Sequence, residues 1–228
     1  MGKLLDALDS AACDFSDFFN TQRRSVGEAY RLRNEIVSET KRGLVLLKKG
    51  KPKEANEVLV RLFSAIERFN AINLPDDTRW QLKAEASQEV MELHLVLFIF
   101  YPYVFEGKEF AVGGFVPFFS PMNQSLDQTP QACLAGLIDA VSETGKMLTW
   151  FFSQGGINKP ERKKIRERFL ELAEDAYSFL SRFETTSDQI VGNTRRQGYG
   201  NTFRAQLSRL EQIIDSEREK LAEMVEQE

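Results

Sequence analysis

Apolar residues recur every three to four positions through most of the chain, with no convincing strand-like alternation. The elements this pattern predicts are therefore helices. The clearest runs from about Pro52 to Ile72, where Ala55, Val58, Leu59, Leu62, Phe63, Ile66 and Phe69 fall on one side. Before it, a long helix is expected from near Asn20 to Lys49, closed by the turn signal of Gly50 and Pro52. The break Asn73-Leu74-Pro75-Asp76-Asp77 leads into a third helix, whose pattern is plain from Trp80 to Phe100. Pro130 opens the next, which carries its pattern to Phe152 and is stopped by Gly155 and Gly156. Lys159-Pro160 starts another that reaches about Phe183, and a last one spans about Thr202 to Val225. Between Glu106 and Pro130 the character changes: glycines and prolines surround Phe110, Phe115, Phe118 and Phe119. Such a loop is too apolar to lie free in water, so it should pack on its own chain or a neighbour's. With no repeat and no Ser/Gly linker, the expected architecture is one all-α domain over residues 1–228. It is a single-domain bundle of about six or seven helices, its core from about 20 to 220.

Composition narrows this picture little. Hydrophobic residues at 42% and charged residues at 28% describe an ordinary folded protein and argue against wholesale disorder. Met1 to Asp9 shows no signal-peptide pattern, and the longest apolar run, Leu93 to Phe105, is too short to span a bilayer. A cytoplasmic protein is expected. Two cysteines, Cys13 and Cys133, make neither a zinc cage nor a disulfide framework. The net charge of −4 means that nucleic-acid binding would need positive charge segregated onto one surface.

Four carboxylates carry the candidate chemistry. Glu89 and Glu92 share a narrow polar stripe with Glu85 and Gln88, bordered by Val90, Met91, Leu95 and Phe98. Asp139 and Glu143 share another with Ala135 and Ser142, bordered by Leu134, Leu137, Ile138, Val141 and Leu148. Residues three or four apart on a helix sit one above the other. Paired acids are commonly a solvated face. These lie mid-helix beside strongly apolar sequence, where an ionised carboxylate is costly without a compensating cation. If the two pairs face each other they would bind a hard divalent metal. Oxygen-only donors favour Mg²⁺ or Mn²⁺. The single histidine, His94, follows Met91 by three, so no Glu-x-x-His di-iron motif exists, and His94 reads as a partly buried structural residue. No phosphate-binding glycine loop and no nucleophile–histidine pairing is present either.

Arg24, Arg31 and Arg42 recur along one line of the first helix, with Arg23 and Lys41 close by. Arginines so placed can follow a phosphate backbone. Arg195 and Arg196, after the Gly192-Asn193 break, could do likewise. The run Lys159, Arg162, Lys163, Lys164, Arg166, Arg168 reads more simply as a solubilising helix face.

Taken together, these segments resemble the translin superfamily, and within it the catalytic branch of translin-associated factor X (Trax) and its prokaryotic relatives. Gln88-Glu89-Val90-Met91-Glu92 is similar to that family's Gln-Glu-x-x-Glu helix. The run from Leu134 to Glu143 resembles its Leu-x-Gly-x-x-Asp-x-x-x-Glu segment, and Gly192-Asn193-Thr194-Arg195-Arg196 its late Gly-x-x-Arg-Arg/Lys element. Likeness covers roughly Gln22 to Glu217. The resemblance implies a seven-helix domain that assembles into a closed, hollow homo-oligomer, larger than a dimer and octamer-like, with a translin-type subunit as a further partner. It implies binding of single-stranded RNA, and of single-stranded DNA, on the inner surface. Because acids stand at all four matching positions, it also implies a Mg²⁺- or Mn²⁺-dependent endoribonuclease, with Glu89, Glu92, Asp139 and Glu143 as catalytic and metal residues. Two other readings stay open: a translin-like binder without catalysis, and a helical scaffold docking protein partners through the Phe110 to Phe119 loop. That Phe-rich segment and the long apolar stretch after Glu92 depart from the family pattern.

Overall fold

The computed structural model describes residues 2–109, 130–155, 157–183 and 203–226. Six long helices account for nearly all of them: α1 (Gly2–Lys48), α2 (Pro52–Asn70), α3 (Asp76–Leu95), α4 (Pro130–Ser153), α5 (Lys159–Ser181) and α6 (Phe203–Glu226). No strand occurs among the described residues. α1 begins far before the expected Asn20, because neither Pro nor Gly interrupts the chain between Gly2 and Gly27. Of the loop expected over 106–130, residues 110–129 lie outside the described residues, as do Arg195 and Arg196.

Gly50 ends α1 at φ +68. Its amide donates to the Leu47 carbonyl, and the Lys51 amide to that of Leu46, both at 2.9 Å. This double closure requires a left-handed residue, which glycine supplies at no steric cost. Pro52 then starts α2, and the two helices lie antiparallel. Ile36, Leu44 and Leu47 of α1 meet Val58, Leu59, Leu62 and Ile66 of α2 in the core, while Arg61–Glu39 (3.3 Å) and Arg68–Glu35 (2.6 Å) cross outside.

α3 follows on the other side of α1 and does not stop at Leu95. A π-helical turn, Val96–Phe100, and one further α-turn, Tyr101–Val104, continue it. Pro102 has no N–H to give the carbonyl four residues back and would clash with it. The wider turn, in which the Tyr101 amide reaches the Val96 carbonyl, absorbs that defect and leaves Phe98 exposed.

α4 packs against α3, with α5 and α6 beyond it. One core draws on all six helices, centred on Val90, Met91, Phe100, Val141, Leu148 and Phe169. Gly136 lets α3 and α4 approach: a Cβ there would stand 3.1 Å from Met91 Cβ and 3.2 Å from the Gln88 carbonyl. Asn158 caps α5, its side chain accepting from the Glu161 amide at 2.9 Å. No described helix is long and apolar enough to cross a membrane.

Candidate metal and nucleic-acid site

The close approach at Gly136 brings the two acidic stripes together. Gln88 on α3 donates from Nε2 to Asp139 Oδ2 on α4 at 2.6 Å. Glu85 and Glu92 lie about one turn to either side of Gln88, Glu89 follows it directly, and Glu143 lies one turn beyond Asp139. Glu143 is buried; Glu89, Glu92 and Asp139 are half-buried.

Charge is distributed unevenly over the four. Burial raises the Glu89 carboxyl above its ordinary range and Asp139 raises it further, against the pull of Lys41 and Arg33. Glu92 is pushed to about 8, first by burial, then by Asp139, Glu89 and Glu143, with Lys146 the opposing cation. Burial also raises Asp139, although the Gln88 hydrogen bond, Lys146 and Arg209 work against it. Glu143 behaves in the opposite way. Burial alone would raise it, but two ammonium groups hold it below the usual range. Lys48 Nζ lies 2.5 Å from Oε1 and Lys146 Nζ 2.9 Å from Oε2.

Oxygen donors at Glu89, Glu92 and Asp139, whose charged forms burial and mutual repulsion disfavour, are the chemistry a hard divalent cation suits. The geometry is less complete. Among the described residues, no three or more His, Cys, Asp or Glu side chains converge as a ready ligand set. Glu143, with one lysine on each oxygen, has no charge left to neutralise. His94 stays out of the cluster: burial lowers it to about 4, and its ring lies 4.8 Å from that of Phe98.

The cations facing this cluster are not those of the expected arginine line. At about 100° per residue, Arg24, Arg31 and Arg42 share one side of α1, and Arg33 lies roughly half a turn from Arg24. Arg31 and Arg42 are exposed and pair with Glu28 (4.0 Å) and Glu39 (3.3 Å) on α1 itself; Arg24 is also exposed. Arg33, Lys41 and Lys48 take the acidic side: Arg33 donates to Glu85 Oε2 at 2.8 Å, Lys41 acts on Glu89, and Lys48 grips Glu143. Their spacing of eight and seven residues is as helical as that of the arginines. In the sequence Lys41 stands beside the arginine line, but Lys48 does not stand out, because lysines beside a turn look like a solvated end.

The basic run of α5 is partly structural. Arg166 pairs with the buried Glu217 of α6, and the Arg162 and Arg166 guanidinium groups lie 5.7 and 4.8 Å from the centre of the Phe152 ring. This is a packed face more than a solubilising one.

No protein-family model matches the chain, and no curated protein matches it. Solved structures do. The crystal structure of AfC3PO aligns at TM-score 0.67 with 21% identity, covering 96% of each chain. The AfC3PO–duplex RNA complex aligns at TM-score 0.61 with 20% identity and the same coverage. Over nearly its whole length, the chain has the all-α fold of AfC3PO.

Proposed function

We propose that this chain is a translin-type nucleic-acid-binding protein of the Trax-like kind, a Mg²⁺- or Mn²⁺-dependent endoribonuclease that hydrolyses phosphodiester bonds of single-stranded RNA. The observation that carries the reading is the meeting of two acidic stripes across the α3–α4 seam, where Gln88 beside Glu89 donates to Asp139 at 2.6 Å and Glu89, Glu92 and Asp139 are all half-buried. Glu89, Glu92 and Asp139 would hold the metal, directly or through water. When bound, the ion supplies charge neutralisation at the scissile phosphate and a lowered pKa for a water. Gln88 fixes Asp139 by its hydrogen bond, and the packed α3–α4 seam around Gly136 keeps the two acidic stripes opposed. Arg33 and Lys41 offset part of the acidity on the α1 side, where an RNA strand must also be accommodated. AfC3PO, similar in fold, has been seen in complex with duplex RNA, which supports nucleic acid as the ligand class. Assembly into a closed homo-oligomer larger than a dimer belongs to the same reading.

A second reading keeps RNA binding and denies catalysis. It is favoured by the two lysines on Glu143 and by the lack of a convergent ligand set. One experiment separates the two: labelled single-stranded and duplex RNA are incubated with the purified protein in Mn²⁺, in Mg²⁺ and in chelator. Metal-dependent internal cuts support the nuclease. Tight binding in chelator with no cutting in either metal leaves the binder.

A further inference from the structure

α4 carries Asp139, Glu143 and Lys146 on one stripe, at spacings of four and three residues. Glu143 receives a lysine on each carboxylate oxygen: Lys48 from α1 at 2.5 Å and Lys146 at 2.9 Å. The two lysines are not equivalent. The Lys48 side chain is 24% exposed and that of Glu143 10%, so this pair neutralises the buried charge and ties α1 to α4. The Lys146 side chain is 69% exposed. It is a second cation on an anion already neutralised, placed where Glu92 and Asp139 also feel it.

A lone surface contact would not hold a flexible lysine in one place for much gain. Here the carboxylate beneath is fixed by Lys48, so it offers Lys146 a rigid anchor at the solvent edge of the acid cluster. An ammonium has three N–H donors, and Glu143 uses one. With the side chain 69% exposed, the others are reachable from solvent beside the carboxylates proposed to hold the metal. A phosphodiester arriving at the cluster, its charge met by a cation on Glu89, Glu92 and Asp139, would come within reach of these donors.

We infer that Lys146 is a phosphate-contacting residue of the acid site, and that Glu143 positions it instead of ligating metal. Lys48 then serves as the counter-ion that frees Lys146 for substrate. The inference rests on the nucleic-acid part of the proposed function and not on its catalytic part.

The test uses the full chain with Lys146→Met, Lys146→Arg and Glu143→Gln. Binding of fluorescent single-stranded RNA is titrated against salt in chelator, so that cleavage cannot intervene. Lys146→Met should lower the log–log salt slope by about 0.7, one phosphate contact, and Lys146→Arg should restore it. Thermal unfolding should show both lysine variants folded, since Glu143 keeps Lys48, with Lys146→Arg at the wild-type melting temperature and Lys146→Met no higher than it. Glu143→Gln should lower the salt slope as Lys146→Met does, yet keep the rise in melting temperature that Mn²⁺ gives wild type. A wild-type slope in Lys146→Met overturns the inference, whether or not the wild type cuts RNA. A lowered slope in a protein that never cuts sustains the contact and removes only the nuclease reading. Loss of the Mn²⁺ response in Glu143→Gln overturns the positioning role, and a wild type that binds no RNA at low salt overturns both proposals.

Discussion

Glu92→Gln should stabilise the metal-free protein, and increasingly so as pH rises. In the unfolded chain a glutamate ionises near its ordinary value of 4.5, whereas in the fold Glu92 holds its proton to about 8. The folded state therefore binds the extra proton between these limits, and stability falls as pH climbs through that window. Each pKa unit corresponds to about 1.4 kcal/mol, so the full difference approaches about 5 kcal/mol well above pH 8. Glu92 is only half-buried and shares its charge with Glu89 and Asp139, so about 2–3 kcal/mol is the working figure between pH 5 and pH 8.5. Gln preserves the shape and cannot ionise. Urea unfolding in chelator at pH 5, 7 and 8.5 should show wild type and Glu92→Gln nearly level at pH 5 and diverging upward. Added Mn²⁺ should reverse the order at pH 8.5, because a cation binds the ionised wild-type cluster and not the variant. A Glu92→Gln protein that is less stable than wild type in chelator at pH 8.5, or a difference that ignores pH, would refute the claim that this charge lacks a partner.

Asp139→Asn should bind single-stranded RNA as well as wild type or slightly better, since repulsion of phosphate falls, and should not cut it in Mg²⁺ or Mn²⁺; gel shift and a cleavage time course on the same preparation check this. Gly136→Val should cost about 2 kcal/mol by overpacking the α3–α4 seam, where even a Cβ meets the Gln88 carbonyl at 3.2 Å, and should abolish cleavage by parting the acids. Replacing Arg24, Arg31 and Arg42 together by Ala should lower the RNA salt slope by about 2, at about 0.7 per contact. An unchanged slope would confine the strand to the Arg33, Lys41 and Lys146 side. Light scattering should report an assembly larger than a dimer, and a monomer across a wide concentration range would remove the closed-shell proposal.

What was legible in the sequence was what a single helix records about itself. The α2 core face is legible almost residue by residue: Ala55, Val58, Leu59, Leu62, Ile66 and Phe69 are buried, while Phe63 at its edge is only partly so. Gly50 and Pro52 marked the turn correctly because both act through local backbone geometry. The two acidic stripes were legible too, since mid-helix carboxylates beside Val90, Met91 and Val141 demand an explanation. Their mutual approach was not. It depends on Gly136 meeting Met91 across a gap of 45 positions in the chain, and no periodicity reports which helix a stripe will face. The π-turn before Pro102 was half legible: the proline forbids a regular helix, but how the chain absorbs the fault is a tertiary matter.

The cations show the same division with more consequence for chemistry. Arg24, Arg31 and Arg42 stand out as an arginine repeat, yet a helix has several sides and spacing alone does not say which meets the acids. Lys48 is joined to Glu143 across 95 positions, and nothing near either residue foretells the other. That pairing changes what four acids mean. Four free carboxylates would suggest a ready metal cage; three only partly compensated ones and a fourth held by lysines suggest an asymmetric site. On the proposed reading the cation-seeking part of such a site would be Glu89, Glu92 and Asp139, and the phosphate-seeking part Lys146. Catalyst and binder then differ less than a count of acids implies, for both need the lysine side. Only the catalyst needs the charge that burial makes so costly at Glu92, and a binder without a metal would be more stable without it.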